Sequence, residues 1–396
     1  MRVLRTAILF QMAWFFGNSI NGQPIDISLF NEIPVKSVVI SSLTGTYKIY
    51  CDNRYVSDLL PDDVLYISLI DKNIALRNTK SPMGLFSSVR FQAADSNAVI
   101  RLNLVSPNAG VRQFNDNIRI SVAFNRLLIL NGIYPDNYIA GVVEAESGIT
   151  ADAEFYKAQS ILARTYLYGH FYRHETEGFQ LCDGVHCQAY HGRSVRNPVI
   201  VLATKSTSGL VIVGPDTTFI TAVFHANCGG QTESASNAWL NGKPYLQPVK
   251  DPFCQNSSSA HWTKVVPLDQ WKTYLKGHGL KIKQGISPGM FDFTQINRRL
   301  FYKVVNDSIP VKQIRSDFQL KSSFFSVVAS DKEITINGRG FGHGVGMCQE
   351  GAIQMAKIGY SYSDILGYYY KGIRIVPYSM ALKNTAYTGE KQTANF

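Results

Sequence analysis

Three groups of residues in this chain have the types and spacing to do chemistry. The first is a pair of glutamates, Glu144 and Glu146, at the end of an apolar segment. Tyr138, Ile139, Val142, Val143 and Glu146 recur at i, i+1, i+4, i+5 and i+8, which is one face of a helix. Glu146 therefore ends an apolar stripe, and Glu144 points the other way. A carboxyl group on a buried stripe loses water, which favours its protonated form and raises its pKa. A general acid at neutral pH requires that shift. The competing reading is a solvated, idle glutamate just past a helix end. On the stripe reading Glu144 is the solvated control.

The second group follows Ser147-Gly148, which breaks the pattern. Thr150 or Asp152 can cap a second helix, since either side-chain oxygen can take a free N–H of the first turn. Phe155, Leu162 and Tyr166 form its core stripe. Gln159 lies on the same stripe and needs a buried partner. Lys157 and Arg164 are seven residues apart and share a face. Two cations there can hold an anionic substrate group or pair with Glu146; the plainer reading is a solvated basic face. The third group is Cys182-x3-His186-Cys187, three ligands of the soft kind that zinc prefers. His174, His170 or His191 can supply a fourth ligand, and His174 is preferred. A Cys182–Cys187 disulfide is the competing reading in an oxidising compartment.

The elements that must position these groups are mixed. Residues 26 to about 130 read as strands: IDISLF, KSVVISS, TYKIYC, VLYISLI, AVIRLNLVS and IRISVAF alternate or run apolar between turn residues. The fold class is α+β. A β-rich N-terminal region (23–130) precedes a mixed α/β catalytic domain (131–378) with a central helix pair. Residues 379–396 are polar and are expected to form a frayed, flexible tail. Beyond the Cys/His cluster, residues 199–214 read as a hairpin. A strand then ends at His225, before the Asn227-Cys228-Gly229-Gly230 turn and Glu233. Site residues tend to sit at such strand ends. Residues 261–300 look helical and mixed, with LDQWKTYLKG an amphipathic helix. Further on, Gly338, Gly340, Gly342, Gly344 and Gly346 occupy every second position. Strand periodicity puts all five on one face, where a backbone or a substrate can come close. No register gives G-x-G-x-x-G, and no G-K-[ST] follows, so neither phosphate-binding motif is present. A helix from about Met347 to Lys357 follows, and Ser361 or Ser363 caps the last one.

Composition narrows the function. The chain has 396 residues, of which 45% are hydrophobic and only 17% charged, as expected for a globular protein. The net charge of +10 comes without a long Lys/Arg run. That disfavours nucleic acid and suits an acidic polymer such as a wall glycan. Arg2 and Arg5, an apolar run and small residues read as a signal peptide spanning 1–22. Export to the periplasm or cell-wall space is expected, with no membrane span after cleavage. Of the six cysteines, Cys228 and Cys254 frame a loop and are the expected disulfide pair; Cys51 and Cys348 have no obvious role.

Four motifs carry a resemblance. GRGFGHGVGMCQEGAIQMAKIGYSYSDILGYYYKG resembles the C-terminal signature of the stage II sporulation protein D family and its amidase-enhancer relatives. YIAGVVEAES with FYKAQSILARTY resembles that family's active-site segment. LCDGVHCQAYHG and CGGQTESASNAW match its intervening patterns, so the likeness runs in order from about residue 125 to 378. Cys348 stands where serine is common in the family. The resemblance implies a peptidoglycan lytic transglycosylase acting on peptide-free glycan strands. Its catalytic glutamate falls on Glu146 and the supporting cations on Lys157 and Arg164. Gln159, Glu233, His343 and Gln349 are expected to contact sugar or to orient the acid. A structural zinc is implied at His174, Cys182, His186 and Cys187, with no cofactor needed for the chemistry. The expected partners are glycan strands and, on a second reading, a cell-wall amidase that a non-catalytic wall-binding protein would modify. A zinc hydrolase is disfavoured, because four protein ligands leave no open position.

Overall fold

The computed structural model describes residues 22–238, 242–283 and 285–382. The expected signal peptide lies outside these residues but for Gly22, and most of the expected tail lies outside them too. The fold is α+β. Strands Ser37–Thr44, Tyr47–Cys51, Val64–Ile70, Val99–Ser106 and Asn117–Ala123 form where apolar side chains alternate; along Ser37–Thr44 the buried residues are Val38, Ile40 and Ser42. The N-terminal strands build a seven-stranded and a six-stranded sheet. In the larger sheet, Ile25–Leu29 pairs antiparallel with Arg126–Ile133 on one side. On its other side it pairs in parallel with the two-residue strand Leu181–Cys182, with Ile27 opposite Leu181. The Cys/His segment is therefore an edge of the N-terminal sheet.

One hydrophobic core runs through both sheets and the helices that follow them. Strand Arg126–Ile133 leads directly into helix α1 (Pro135–Ser147), started by Pro135 and by Asp116, whose carboxylate accepts from the Tyr134 N–H (3.0 Å) and Asn137 Nδ2 (2.9 Å). Helix α2 (Ala153–Gly169) packs against it. Residues 199–214 are not a hairpin. Helix α3 (Pro198–Ser206) and strand Leu210–Val213 stand there instead. Asn197 caps α3 by accepting the Val199 N–H at 2.9 Å, and Pro198 opens it. Packing of Ser160 on Thr204 (2.8 Å between hydroxyls) then overrides the β preference of the Val-Ile-Val run.

Residues 261–339 carry a second core of their own. The sheet His261–Pro267, Glu333–Arg339, Phe325–Ala329 packs with helix Leu268–Gly277 around Trp271, Tyr302 and Ile336. The glycine-alternating segment is a strand only as far as Arg339. Gly340, Gly342, Gly344 and Gly346 all have positive φ, so they do not share the face of one strand. The close approach they permit is to the chain itself: a Cβ on Gly346 would collide with the Val223 carbonyl. Helix Gln349–Lys357 follows, and Ser361 closes a capping box with Asp364 on helix Tyr362–Tyr369. Residues 379–382, expected to begin a frayed tail, belong to helix Tyr378–Leu382, and Tyr378 stacks on Tyr168 with ring centroids 3.9 Å apart. Among the described residues no helix is long and apolar enough to cross a membrane.

Arg164 is the clip of the helical layer. Its side chain is 1% exposed and pairs with Asp136 Oδ1 at 2.8 Å. It also donates to the carbonyls of Thr204 (3.2 Å), Thr207 (2.8 Å) and Leu210 (3.2 Å). It thus ties the start of α1 to the end of α3. Arg164→Met is expected to lower stability by about 3 kcal/mol, since it strands three carbonyls and an ion-pair partner. Arg164→Lys should recover only part of that, because an ammonium cannot span the same acceptors. Urea denaturation followed by circular dichroism checks both.

Candidate functional site

Glu146 lies in the last turn of α1, half-buried, and Gly148 ends the helix with φ 71°. Burial raises its pKa, and a single hydrogen bond, the Ala189 N–H donating to Oε1 at 2.8 Å, only partly offsets this. That N–H arrives because Gly141, on the same helix, has no side chain. A Cβ there would collide with the Gly192 carbonyl and the Tyr190 ring. Tyr190 packs on Tyr138 (centroids 5.0 Å) and its hydroxyl donates to Asn131 at 3.0 Å, which fixes the loop along α1. From the far end of the chain, Gln349 Nε2 donates to the main-chain oxygen of Glu146 at 3.2 Å. Gln349, expected to contact sugar or to orient the acid, is 9% exposed and holds the glutamate's backbone.

Glu144 is not a solvated control. It is 7% exposed, because α1 is covered on both sides rather than along one stripe. Burial alone would raise its pKa. The N–H of Arg196 (3.0 Å), the Ser194 hydroxyl (2.8 Å) and the Arg196 guanidinium (3.1 Å) outweigh burial and lower it. The two glutamates are thus driven in opposite directions, Glu144 toward its anion and Glu146 toward the acid form.

The supporting cations stand elsewhere. Lys157 pairs with Glu154 at 2.6 Å, a residue of its own helix, and does not pair with Glu146. Arg164 is sealed in the core beside Asp136, about 15 Å along α1 from Glu146 at 1.5 Å per residue. It cannot meet a substrate. Gln159 is fully buried, and neither atom of its amide has a hydrogen-bond partner, so it too is closed to substrate. Glu233 and His343 are brought together, but in a separate cleft. It has a volume of about 700 Å³ and is lined also by Arg299, Lys312 and Arg315. Glu233 Oε1 accepts from Ser234 N and Asn237 Nδ2, both at 2.9 Å. Burial lowers the His343 pKa to about 4, which keeps the ring neutral. Glu146 is not among the residues of that cleft.

The Cys/His cluster forms. One ligand atom from each of His174, Cys182, His186 and Cys187 lies within 4.8 Å of the other three. His174 Nε2 is 3.4 Å from Cys187 Sγ, and His186 Nδ1 is 3.7 Å from Cys187 Sγ and 3.9 Å from Cys182 Sγ. Ligands about 2.1–2.3 Å from a tetrahedral zinc stand roughly 3.4–3.8 Å apart, so these residues fit the ion. A turn closed by Cys187 N–H to Gly184 O (3.0 Å) lets adjacent His186 and Cys187 face one point. The Glu177 carboxylate meets His174 Nδ1 at 2.5 Å, leaving Nε2 as the ligand nitrogen. Contact with Cys182 brings the Cys187 thiol down to about 7. His170 is turned away, its Nδ1 on the Tyr166 carbonyl at 2.9 Å. Sequence reasoning missed Ala189, Gly141, Ser194 and Arg196. Only the Gly141 position inside a helical pattern carried a signal, as a glycine that helix propensity disfavours. None of the six cysteines is in a disulfide, and the expected Cys228–Cys254 bond is not formed; their sulfurs are 3.4 Å apart.

Comparison with known proteins gives concordant results. The stage II sporulation protein family model matches residues 124–213. An uncharacterized protein of Brachyspira hyodysenteriae is 30% identical over 261 residues, covering 65% of this chain and 70% of that one. Stage II sporulation protein D of Bacillus subtilis is 29% identical over 61% of this chain and 74% of its own length. The amidase enhancer of the same species is 26% identical over 61% of this chain, but only 40% of that longer protein is covered.

Glu144 supplies the prediction here. Its lowered pKa means that its contribution to stability is full above the ordinary carboxylate value, about 4.3, and is lost as pH falls through the folded value. Glu144→Gln is expected to cost about 2 kcal/mol at pH 7. The gap to the parent chain should close below about pH 4. Thermal unfolding across that range measures it.

Proposed function

The chain belongs to the stage II sporulation protein D and amidase-enhancer family. On that footing we propose that it is a cell-wall enzyme, a lytic transglycosylase cleaving the bond between N-acetylmuramic acid and N-acetylglucosamine in peptide-free glycan strands. The observation that carries this reading is the opposed environment of two neighbouring glutamates: Glu144 held by several donors that lower its pKa, Glu146 half-buried with a raised pKa. Protonated Glu146 gives its proton to the glycosidic oxygen as the C1–O bond breaks. The sugar becomes oxocarbenium-like. The muramoyl 6-hydroxyl closes on C1, and its proton returns to the Glu146 carboxylate, leaving a 1,6-anhydro ring and the starting enzyme. Hydrolytic glycosidases use two carboxylates. An internal hydroxyl in place of water lets one serve twice.

The other residues support that step from a distance. Ala189 N–H holds one oxygen of Glu146, which leaves the other for the proton. Gln349 is a positioning residue on the Glu146 backbone. Zinc bound by His174, Cys182, His186 and Cys187 would act structurally, fixing the loop that carries Ala189 two residues beyond Cys187. The net charge of +10 suits the free lactate of a stripped strand. Action outside the membrane, in the periplasm or wall space, fits that substrate.

A second reading rests on a specific observation. Lys157 and Arg164, the expected cations, are engaged elsewhere, while a cleft of about 700 Å³ lies at Glu233 and His343. A wall-binding protein that modifies a separate amidase would use that cleft and need no acid at Glu146; one relative is named an amidase enhancer. Digestion of peptide-free strands, read by mass spectrometry for anhydro ends, separates the two. Glu146→Gln is expected to lower anhydro formation by about a hundredfold or more. Wild-type activity should fall as pH rises through the raised Glu146 pKa, above the ordinary carboxylate range. No anhydro product from either form, with an added amidase stimulated, would establish the second reading instead.

A further inference from the structure

Cys228, Asp251, Cys254 and Cys348 come from three separate stretches of chain and converge on one buried point. Cys228 Sγ stands 3.4 Å from Cys254 Sγ and 3.2 Å from Asp251 Oδ2. The Cys228 N–H donates to Cys348 Sγ at 3.3 Å. One ligand atom from each residue lies within 4.8 Å of the others. A tetrahedral ion with sulfur ligands near 2.3 Å and an oxygen near 2.1 Å sets its ligand atoms roughly 3.4–3.8 Å apart. The Cys228–Cys254 sulfur separation falls in that range, the Cys228–Asp251 distance is close to it, and the other ligand atoms lie within 4.8 Å.

The surroundings are those of a ligand shell rather than of a disulfide. Asp251 is aimed from both sides, Oδ1 by the Phe253 N–H and Oδ2 by the Tyr369 hydroxyl, each at 2.9 Å. Metal-ligating carboxylates are held in this way by outer hydrogen bonds. Gly351 leaves space for that carboxylate, since a Cβ there would collide with it. Arg298 lies alongside, donating Nη2 to the Cys228 carbonyl at 2.7 Å and Nε to the Gln231 carbonyl at 2.8 Å. Three thiolates and a carboxylate around a divalent ion carry a net charge of minus two, which an adjacent guanidinium offsets in part. A Cys228–Cys254 bond would use neither Asp251 nor Cys348.

We propose that Cys228, Asp251, Cys254 and Cys348 bind a structural zinc ion, at a site distinct from the His174 cluster. The ion joins the turn at residues 227–230 to the start of helix Gln349–Lys357. Gln349, next to Cys348, is the residue that holds the Glu146 backbone. The proposal does not depend on the transglycosylase reading.

Metal content of the purified full chain, measured by elemental analysis beside a thiol count, tests it. Two zinc ions per chain are expected. Cys348→Ser should lose one and keep the other; Cys187→Ser should show the converse. Cobalt in place of zinc should give a thiolate-to-metal absorption band that loses its larger, three-thiolate share in Cys348→Ser. Should that variant fail to fold, Asp251→Asn replaces it, with the ion expected to leave at lower chelator concentration. Zinc content unchanged by Cys348→Ser and abolished by Cys187→Ser would overturn the proposal. So would a Cys228–Cys254 cross-linked peptide in the chain prepared with zinc.

Discussion

The spacing between α1 and the loop at residues 189–192 sets the site. Gly141 removes one side chain from the helix, and the Gly192 carbonyl and Tyr190 ring occupy the space. Only at that separation does the Ala189 N–H reach Glu146. The loop cannot drift outward, because the Tyr190 hydroxyl is bonded to Asn131 in the N-terminal sheet. The helix cannot drift either, because Arg164 anchors its other end to α3. A carboxyl group with one donor and little water is the outcome of these contacts rather than of any charge near it.

The same logic explains the division between the two glutamates. Both sit on a helix covered on several sides. Burial pushes both carboxyls toward protonation. What separates them is donor count. Glu144 receives two backbone N–H groups, a hydroxyl and a guanidinium, while Glu146 Oε1 receives one N–H. The segment at residues 194–196 that neutralises Glu144 also leads into Asn197, the cap of α3. Glu144 is therefore a fastener for the helical layer, two residues from a group with the opposite disposition.

Local pattern made much of this legible. Strands Ile25–Leu29, Tyr47–Cys51 and Val64–Ile70 alternate openly, and the Ser361 cap follows from residue type alone. Strand Arg54–Leu59 did not announce itself, since its residues are largely exposed and carry no apolar alternation. Residues 198–206 read as β because their side chains are β-branched, yet a proline start and packing on α2 made them a helix. The face of Glu144 was misjudged because a period of 3.6 marks the most apolar face and is silent on how many faces are covered. Lys157 and Arg164 share a helix face as their spacing requires. Spacing does not disclose that Glu154 and Asp136 claim them. The second core around Trp271 was hidden by its mixed composition, and Cys348 acquired a context only when residues far apart in sequence met.

Strand Ile25–Leu29 sits between Arg126–Ile133 and Leu181–Cys182. Its partners lie about a hundred and about a hundred and fifty residues further along the chain. The chain emerges from N- to C-terminus, so the first of the described strands waits for both neighbours while much of the chain follows. The seven-stranded sheet closes late, by contacts of long sequence separation, which are slow to form. Until then that strand exposes both of its edges. The closure that finally covers it also carries Cys182 into place, so completing the sheet and assembling the Cys/His cluster are one event.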